Sequence, residues 1–459
     1  MSASGTARMI CCALQRAQTQ APAPARQALK LWVGNQQRRR KHTHKWRSFT
    51  ALDDWVSKEA RPISLRQLMV FGRSLNAQRL IGSANYVRTE LPRRIAHRLR
   101  DMQTLPYCVV ANPHFKEVYE LYYEAFDLLR RVPEIRSLED NDAFCQVLDR
   151  MLQAHLAVTP ELAMGILEVS ADGLLSAQEL DRFMNQILRS RISRRVIAEQ
   201  QLSLAETLRS PSSSSAGAHV PDSEFIGKVF LKCNAAEVIQ RCGQAVIDLA
   251  RSANGQDVVM PEIKLAGHLD TSFPFILSHI EYIIGELLRN SVQAVIERQI
   301  RDGTAATRPP PIEVTICESS KNVVIRVSDQ GGGIPADVMP YLWSFCKGPH
   351  SQRILDNLTH VPRLSSTLPE VRVDEQQAKA AKAGTARAGG VGSLSSLTSR
   401  PPNLRLGMGL PLSRIYAEYW AGSLELQSLW GYGVDVFFQI SKLGNKNEQL
   451  LTRAMMDAV

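Results

Sequence analysis

Gly285-Glu-Leu-Leu-Arg-Asn290 decides the fold of this chain. Apolar positions in and around it, Ile283, Ile284, Leu287 and Val295, return at three- and four-residue steps, as does Ser291, so the spacing predicts a long helix from about Phe273 to Ile300. Glu286 and Asn290 lie four residues apart and project from one face of that helix, and Gln293 and Glu297 continue the polar stripe. Two further boxes follow, Asp329-Gln-Gly-Gly-Gly333 and Gly407-Met-Gly-Leu-Pro411. Three sparse boxes in this order describe a nucleotide pocket that is neither a P-loop nor a eukaryotic-type kinase cleft.

Each box has its own chemistry. Asn290 offers a neutral oxygen to Mg²⁺, which keeps several waters and shares its sphere with phosphates. Glu286, one turn away, can accept a proton from an attacking hydroxyl. Taken alone, the stripe equally fits a solvated helix face. Asp329 ends the apolar strand Val323-Val-Ile-Arg-Val327 and precedes three glycines. Its carboxylate can accept a hydrogen bond from an adenine amine, while Gly331 and Gly333 let a base approach the main chain; a plain Asp-Gly turn is the ordinary alternative. Gly407-Met408-Gly409-Leu410 opens the next helix, with Pro411 suited to its first turn. Unpaired amides at such a start favour phosphate oxygens, although a helix-entry loop has the same composition. The order and spacing of the three boxes favour the joint interpretation.

Around the boxes the chain divides in two. From Ser64 to about Leu204 the pattern is helical throughout (Leu65, Leu68, Met69, Phe71, then Ile81, Tyr86, Val87, Leu91, Ile95, Leu99), and Pro106, Pro113, Pro133 and Pro160 cut it into the segments of an antiparallel bundle. Ser210-Pro-Ser-Ser-Ser-Ser-Ala-Gly217 is a flexible polar tract. Beyond it, strands are expected at Ile226 to Leu231, Val258 to Leu265, Ile312 to Cys317, Val323 to Ser328, Ser423 to Leu429 and Val434 to Ile440. Helices are expected at Ala235 to Arg251 and from Pro411. The fold class is α plus α/β: an N-terminal antiparallel helix bundle, then an α/β sandwich with a mixed sheet and helices on one face. Residues 335–404 lack a core pattern and read as a lid or flexible insertion between two glycine boxes.

The formal net charge is +10. Residues 1–50 hold ten Lys or Arg and no Asp or Glu, and removing those ten from the 55 basic residues leaves 45 against 45 acidic ones. The excess belongs to the leader, so a nucleic-acid function loses its main support. An Arg-rich, acid-free leader is expected of a mitochondrial transit peptide, although Arg38-Arg-Arg-Lys41 also fits a basic tail. No apolar run reaches the roughly 18 residues of a membrane span. Eight cysteines, scattered without C-x-x-C spacing, argue against zinc or disulfide scaffolds.

Together with Arg66-Gln-Leu-Met-Val-Phe-Gly-Arg73, Glu90-Leu-Pro-Arg-Arg-Ile-Ala-His-Arg98, Leu105-Pro-Tyr107, Ser190-Arg-Ile-Ser193, Gly409-Leu-Pro-Leu-Ser-Arg-Ile-Tyr-Ala-Glu-Tyr419 and Gly422-Ser-Leu-Glu-Leu-Gln-Ser428, the boxes resemble the mitochondrial 2-oxoacid dehydrogenase kinases of the GHKL superfamily, most of all the branched-chain type. The resemblance covers nearly everything after the leader. It implies a GHKL-type sandwich and an ATP- and Mg²⁺-dependent serine kinase of the mitochondrial matrix. This enzyme would inactivate the α subunit of a pyruvate or branched-chain dehydrogenase, dock on the lipoyl-bearing core and act as a homodimer.

Position by position, the resemblance implies Glu286 as general base, Asn290 as Mg²⁺ ligand and Asp329, Gly331 and Gly333 at adenine. Gly407, Met408, Gly409 and Leu410 would line the triphosphate, and Leu287, Leu288, Arg289, Gln293 and Arg405 complete the ATP-binding set. His97 would lie near a regulatory acid pocket. The implied divisions are a transit peptide over 1–50, a regulatory and docking bundle over 51–209, a linker over 210–224, a kinase domain over 225–443 and a tail over 444–459. Departures from the family pattern fall at Arg405 (for glycine), Gln293 (for arginine), Val434 (for threonine), Gly348-Pro349 (for a Ser-Thr pair), Tyr282 (for the histidine of the pyruvate type) and Gln200-Gln201 (for a His-containing pair). The alternative function is an ATP-binding scaffold of the same complex without phosphotransfer.

Overall fold

The computed structural model describes residues 49–209, 225–255, 258–305, 307–345, 348 and 407–445. The leader before residue 49, the linker over 210–224, Arg405 with most of the expected insertion, and the tail from 446 lie outside the described residues. From Trp55 onward the described residues form one compact unit.

The helical part comprises α1 (Phe49–Val56), α2 (Leu65–Gly72), α3 (Ala77–Gln103), α4 (Tyr107–Val110), α5 (Pro113–Arg130), α6 (Leu138–Ala154), α7 (Val158–Ala171) and α8 (Ala177–Arg209). Side-chain caps start several of them. Ser64 and Gln67 form a capping box on α2, Ser137 and Asp140 another on α6, and Asn112 caps α5 with Pro113 in its first turn. Such caps contribute roughly 0.5–2 kcal/mol each by satisfying first-turn amides. Leu91, Ile95 and Leu99 are fully buried, as their spacing predicts.

Prolines divide this part less evenly than expected. Pro106 and Pro113 sit at helix starts, but Pro160 lies in the first turn of α7, where a missing N–H costs nothing. Pro92 is inside α3, which continues through it for another eleven residues because Leu91, Ile95, Ala96 and Leu99 bury one face in the bundle.

The α/β part comprises β1 (Phe225–Ile226), β2 (Val229–Asn234), α9 (Ala235–Asn254), β3 (Ile263–Gly267), β4 (Ser272–Ile276), α10 (Leu277–Arg301), β5 (Ile312–Glu318), β6 (Asn322–Asp329), α11 (Gly409–Tyr419), β7 (Ser423–Leu429) and β8 (Gly433–Ser441). The main sheet has order β3-β5-β6-β8-β7, with β3 parallel to β5 and the other pairs antiparallel. It is therefore mixed, as expected. Val323, Ile325, Val327, Val436, Phe438 and Ile440 alternate into its buried face, beneath α10 and α11.

Three expectations shift. The strand expected at Ile226 to Leu231 is a hairpin turning at Gly227, whose φ of 60° suits glycine. Strand β3 starts at Ile263, not Val258. Ser272–Ile276 is strand β4, so the long helix starts at Leu277 instead of Phe273. The apolar run Phe273-Pro-Phe-Ile-Leu277 fits a buried helix or a short strand equally well by periodicity, and pairing with β2 decides it. Together β1, β2 and β4 make a second, small antiparallel sheet.

That small sheet joins the helical part. Gln200 of α8 donates through Nε2 to the carbonyls of Leu68 and Ile226, 3.3 Å each, and its Oε1 accepts from the Lys228 amide at 2.8 Å. Beyond β8, buried Asn445 accepts from the Leu65 amide and donates to the Ile63 carbonyl, 3.2 Å each.

Candidate active site

Helix α10 positions the first box because its buried positions, Ile280, Ile283, Ile284, Leu287, Leu288, Val292 and Val295, hold it between α9 and the sheet. Leu287 and Leu288 are thus core residues, 1 % and 0 % exposed. Glu286 is 4 % exposed, whereas Asn290, one turn on, is exposed. Oε1 of Glu286 lies 3.9 Å from Nε of buried Arg289. Its Oε2 faces α11 so closely that a methyl group on Gly409 would collide with it. Gln293 donates through Nε2 to Glu297 at 3.1 Å, and its buried Oε1 has no hydrogen-bond partner among the described residues.

Asp329 ends β6 and is 5 % exposed. Its Oδ1 accepts the Gly331 amide at 2.9 Å, and it also bonds the Ser291 side chain of α10 and the Val434 backbone. Burial pushes its carboxyl above the usual carboxylate range, opposed by these hydrogen bonds and reinforced by the charge of Asp435. The glycines after it are required by protein neighbours. A side chain at Gly331 would strike Ala294 of α10, and one at Gly333, where φ is 75°, would strike the Leu429 carbonyl. Arg298 of α10 ties this turn to the β7–β8 hairpin, donating to the Gln330 carbonyl at 2.8 Å and the Tyr432 carbonyl at 3.0 Å.

The third box turns at Gly407, φ 67°, and enters α11 through Met408. Among the described residues no side chain caps this helix start, and its first turn holds no acidic residue. Gly409, in this first turn, lies against the Glu286 side chain from the middle of α10. The fold thus brings Glu286, Arg289, Asp329, Gly331 and Gly409 together around α10, with Asn290 on its open side, while Arg405 lies outside the described residues.

Other features had a weaker signal or none in the sequence. His97 is buried on α3, with Nε2 3.0 Å from the Lys58 carbonyl, and burial pulls its pKa down. A second buried histidine, His155, stacks on Tyr122 with ring centres 5.3 Å apart. Arg194 crosses the other parts of this cluster, 2.5 Å from the Tyr122 hydroxyl and 4.4 Å from the ring centre, and Arg191 donates to the His155 carbonyl at 3.1 Å. Only the Ser190–Ser193 run pointed there. Tyr282, at the position where the pyruvate type has a histidine, packs on Tyr416 of α11 at 5.3 Å, in an aromatic group with His279 and Trp420. Among the described residues, no helix is long and apolar enough to cross a membrane. Of the described cysteines, Cys145, Cys233 and Cys242 are buried, which pushes their thiols up, to about 11 for Cys145 and about 12 for Cys233.

A helical body followed by a mixed sheet under α10, with glycine turns meeting that helix at Ala294 and Glu286, defines a GHKL-type ATPase fold. Residues 277–443 match the family described as histidine kinase-, DNA gyrase B- and HSP90-like ATPase, and residues 62–230 match the mitochondrial branched-chain alpha-ketoacid dehydrogenase kinase family. The chain is 32% identical to the mitochondrial [pyruvate dehydrogenase (acetyl-transferring)] kinase 2 of Saccharomyces cerevisiae, over 88% of this chain and 85% of the relative. It is 28% identical to the mitochondrial [pyruvate dehydrogenase (acetyl-transferring)] kinase of Arabidopsis thaliana, over 86% and 94%, and 26% identical to human isozyme 4, over 85% and 83%. The chain belongs to the mitochondrial 2-oxoacid dehydrogenase kinase family, whose members are ATP-using protein kinases.

Proposed function

We propose that this chain is a serine kinase of the mitochondrial matrix that uses MgATP to phosphorylate, and so inactivate, the α subunit of a 2-oxoacid dehydrogenase of pyruvate or branched-chain type. The observation that carries this reading is the meeting of Glu286 with Gly409, which places a carboxylate from the first box against the uncapped helix start of the third. Docking on the lipoyl-bearing core and homodimerisation are parts of the same proposal.

The residues fit the nucleotide and its metal. The first-turn amides of α11 take phosphate oxygens without competition from a side-chain cap. Asp329, already oriented by Gly331 and Ser291, accepts from an adenine amine. Exposed Asn290 offers its amide oxygen to Mg²⁺. Bound Mg²⁺ would supply charge neutralisation and orientation of the phosphates. Glu286, buried between Arg289 and Gly409, takes the proton of the seryl hydroxyl. Arg289 Nε lies 3.9 Å from the other carboxylate oxygen.

Transfer of label from ATP to purified pyruvate-type and branched-chain-type dehydrogenases, run in parallel, tests the proposal and selects the substrate. Label should appear on an α-subunit serine in at least one arm. Glu286→Gln should lower the rate by roughly 10²–10⁴-fold while MgATP binding persists. Tight ATP binding without label in either arm would overturn the kinase reading in favour of a scaffold.

A further inference from the structure

Two polar grips run from helix α8 of the bundle to the two flanks of the nucleotide boxes. Asp181, in the second turn of α8, holds the segment that leaves the second box. Its Oδ2 accepts the Ser344 hydroxyl at 2.7 Å and its Oδ1 accepts the Phe345 amide at 2.9 Å. The Phe345 ring is 2 % exposed, so side chain and main chain are anchored at one point. Eight residues along α8, roughly 12 Å at 1.5 Å per residue, Arg189 meets Glu418 of α11 at 2.7 Å. Glu418 also accepts from Arg414 Nε at 2.8 Å, and the Arg414 guanidinium lies 4.9 Å from the centre of the Trp343 ring. The path closes on itself, from Asp181 through Ser344 and Phe345 to Trp343, Arg414, Glu418 and Arg189, and back along α8.

We propose that Asp181 and Arg189 are positioning residues for the nucleotide site: α8 holds the Trp343–Phe345 segment and helix α11 in one register, and nucleotide affinity depends on that register. This rests on the assignment of the pocket to ATP. A charged acceptor holding an irregular backbone amide and a hydroxyl is among the stronger polar contacts available outside regular structure. Helix α11 starts at Gly409 and carries Arg414 and Glu418 on its next turns, so a shift of Glu418 moves the amides that face phosphate. The same helix α8 carries Arg191 and Arg194 of the buried His155 cluster, between Asp181 and Gln200. A displacement of α8 therefore reaches both flanks of the pocket at once.

The experiment measures MgADP and MgATP dissociation constants, KM for ATP, kcat and thermal midpoint for the full chain and for Asp181→Ala, Asp181→Asn, Ser344→Ala, Arg189→Ala and Asp181→Ala/Ser344→Ala. Asp181→Ala should weaken MgADP and raise KM for ATP roughly tenfold with kcat within about twofold. Asp181→Asn keeps an acceptor for the Phe345 amide and should recover part of the loss. The double variant should be no weaker than Asp181→Ala alone, since both remove one contact. Arg189→Ala should raise KM through α11. Unchanged nucleotide constants in Asp181→Asn, Ser344→Ala and Arg189→Ala, whatever happens to the thermal midpoint, would reduce the grips to structural staples and overturn the proposal. Failure of the unaltered protein to bind MgADP or MgATP would instead remove the ATP assignment itself.

Discussion

Oε2 of Glu286 occupies the space that a side chain at Gly409 would need. Residues 123 positions apart in the chain are thus in contact, and the contact joins the middle of α10 to the first turn of α11.

Gly409→Ala should therefore act on chemistry more than on folding. The added methyl displaces the far end of a flexible carboxylate, so the thermal midpoint should change little. Phosphotransfer should fall by up to roughly a hundredfold, because displacement of about 1 Å at a catalytic group has that scale of effect. Steady-state rates together with calorimetry check this, and a variant with full activity would show that Glu286 is not held by this contact.

Asp329 predicts a pH dependence of nucleotide binding. The ionised carboxylate accepts from an adenine amine more strongly than the protonated acid does, and burial raises its pKa. MgATP affinity should decline on acidification before an ordinary carboxylate would begin to titrate. Asp329→Asn should bind weakly and lose that dependence. The effect on stability has the opposite sign: a raised native pKa means that the folded state binds more protons, so acidification through that range favours folding at this residue. Titration calorimetry over a pH series, on both proteins, separates the two effects.

His155 makes a stability prediction. Burial, aided by the charge of Arg194 and opposed by the Leu121 carbonyl, lowers its pKa from 6.5 to about 3. Between those values the unfolded chain binds the extra proton, so this contribution is complete above pH 6.5 and is lost as pH falls toward 3. The slope is about 1.4 kcal/mol per pH unit. Denaturant midpoints at pH 7 and pH 5 should converge more for His155→Phe than for the unaltered protein; equal slopes would contradict a neutral buried imidazole.

Gln200→Ala should loosen the join between α2, α8 and the β1–β2 hairpin. Three hydrogen bonds disappear, and the Lys228 amide with the Leu68 and Ile226 carbonyls loses a partner. The cost should be about 1–3 kcal/mol. Scanning calorimetry should show a lower midpoint, and proteolysis should become faster near Gly227. An unchanged midpoint would mean that the hairpin is held by its apolar contacts alone.

Local pattern determined much of this molecule. The periods of α3 and α10, the alternation of β5, β6 and β8, and the three boxes were all legible, because 3.6- and 2-residue periods record which face meets a core. Local pattern was weaker where two structures share one period. Phe273-Pro-Phe-Ile-Leu277 is a strand followed by a helix start only because β2 pairs with it. Pro92 did not end its helix, since burial outweighed its usual effect. Tertiary structure alone decided the sheet order β3-β5-β6-β8-β7, the meeting of Glu286 with Gly409, the His155–Arg194–Tyr122 cluster and the grip of Asp181 on Ser344 and Phe345. The last two contacts span 163 and 164 residues. A residue's chemistry and its helical face are local properties of sequence. Its partner across such a distance depends on how every intervening element packs, and that is settled by burial and hydrogen bonding in the whole fold.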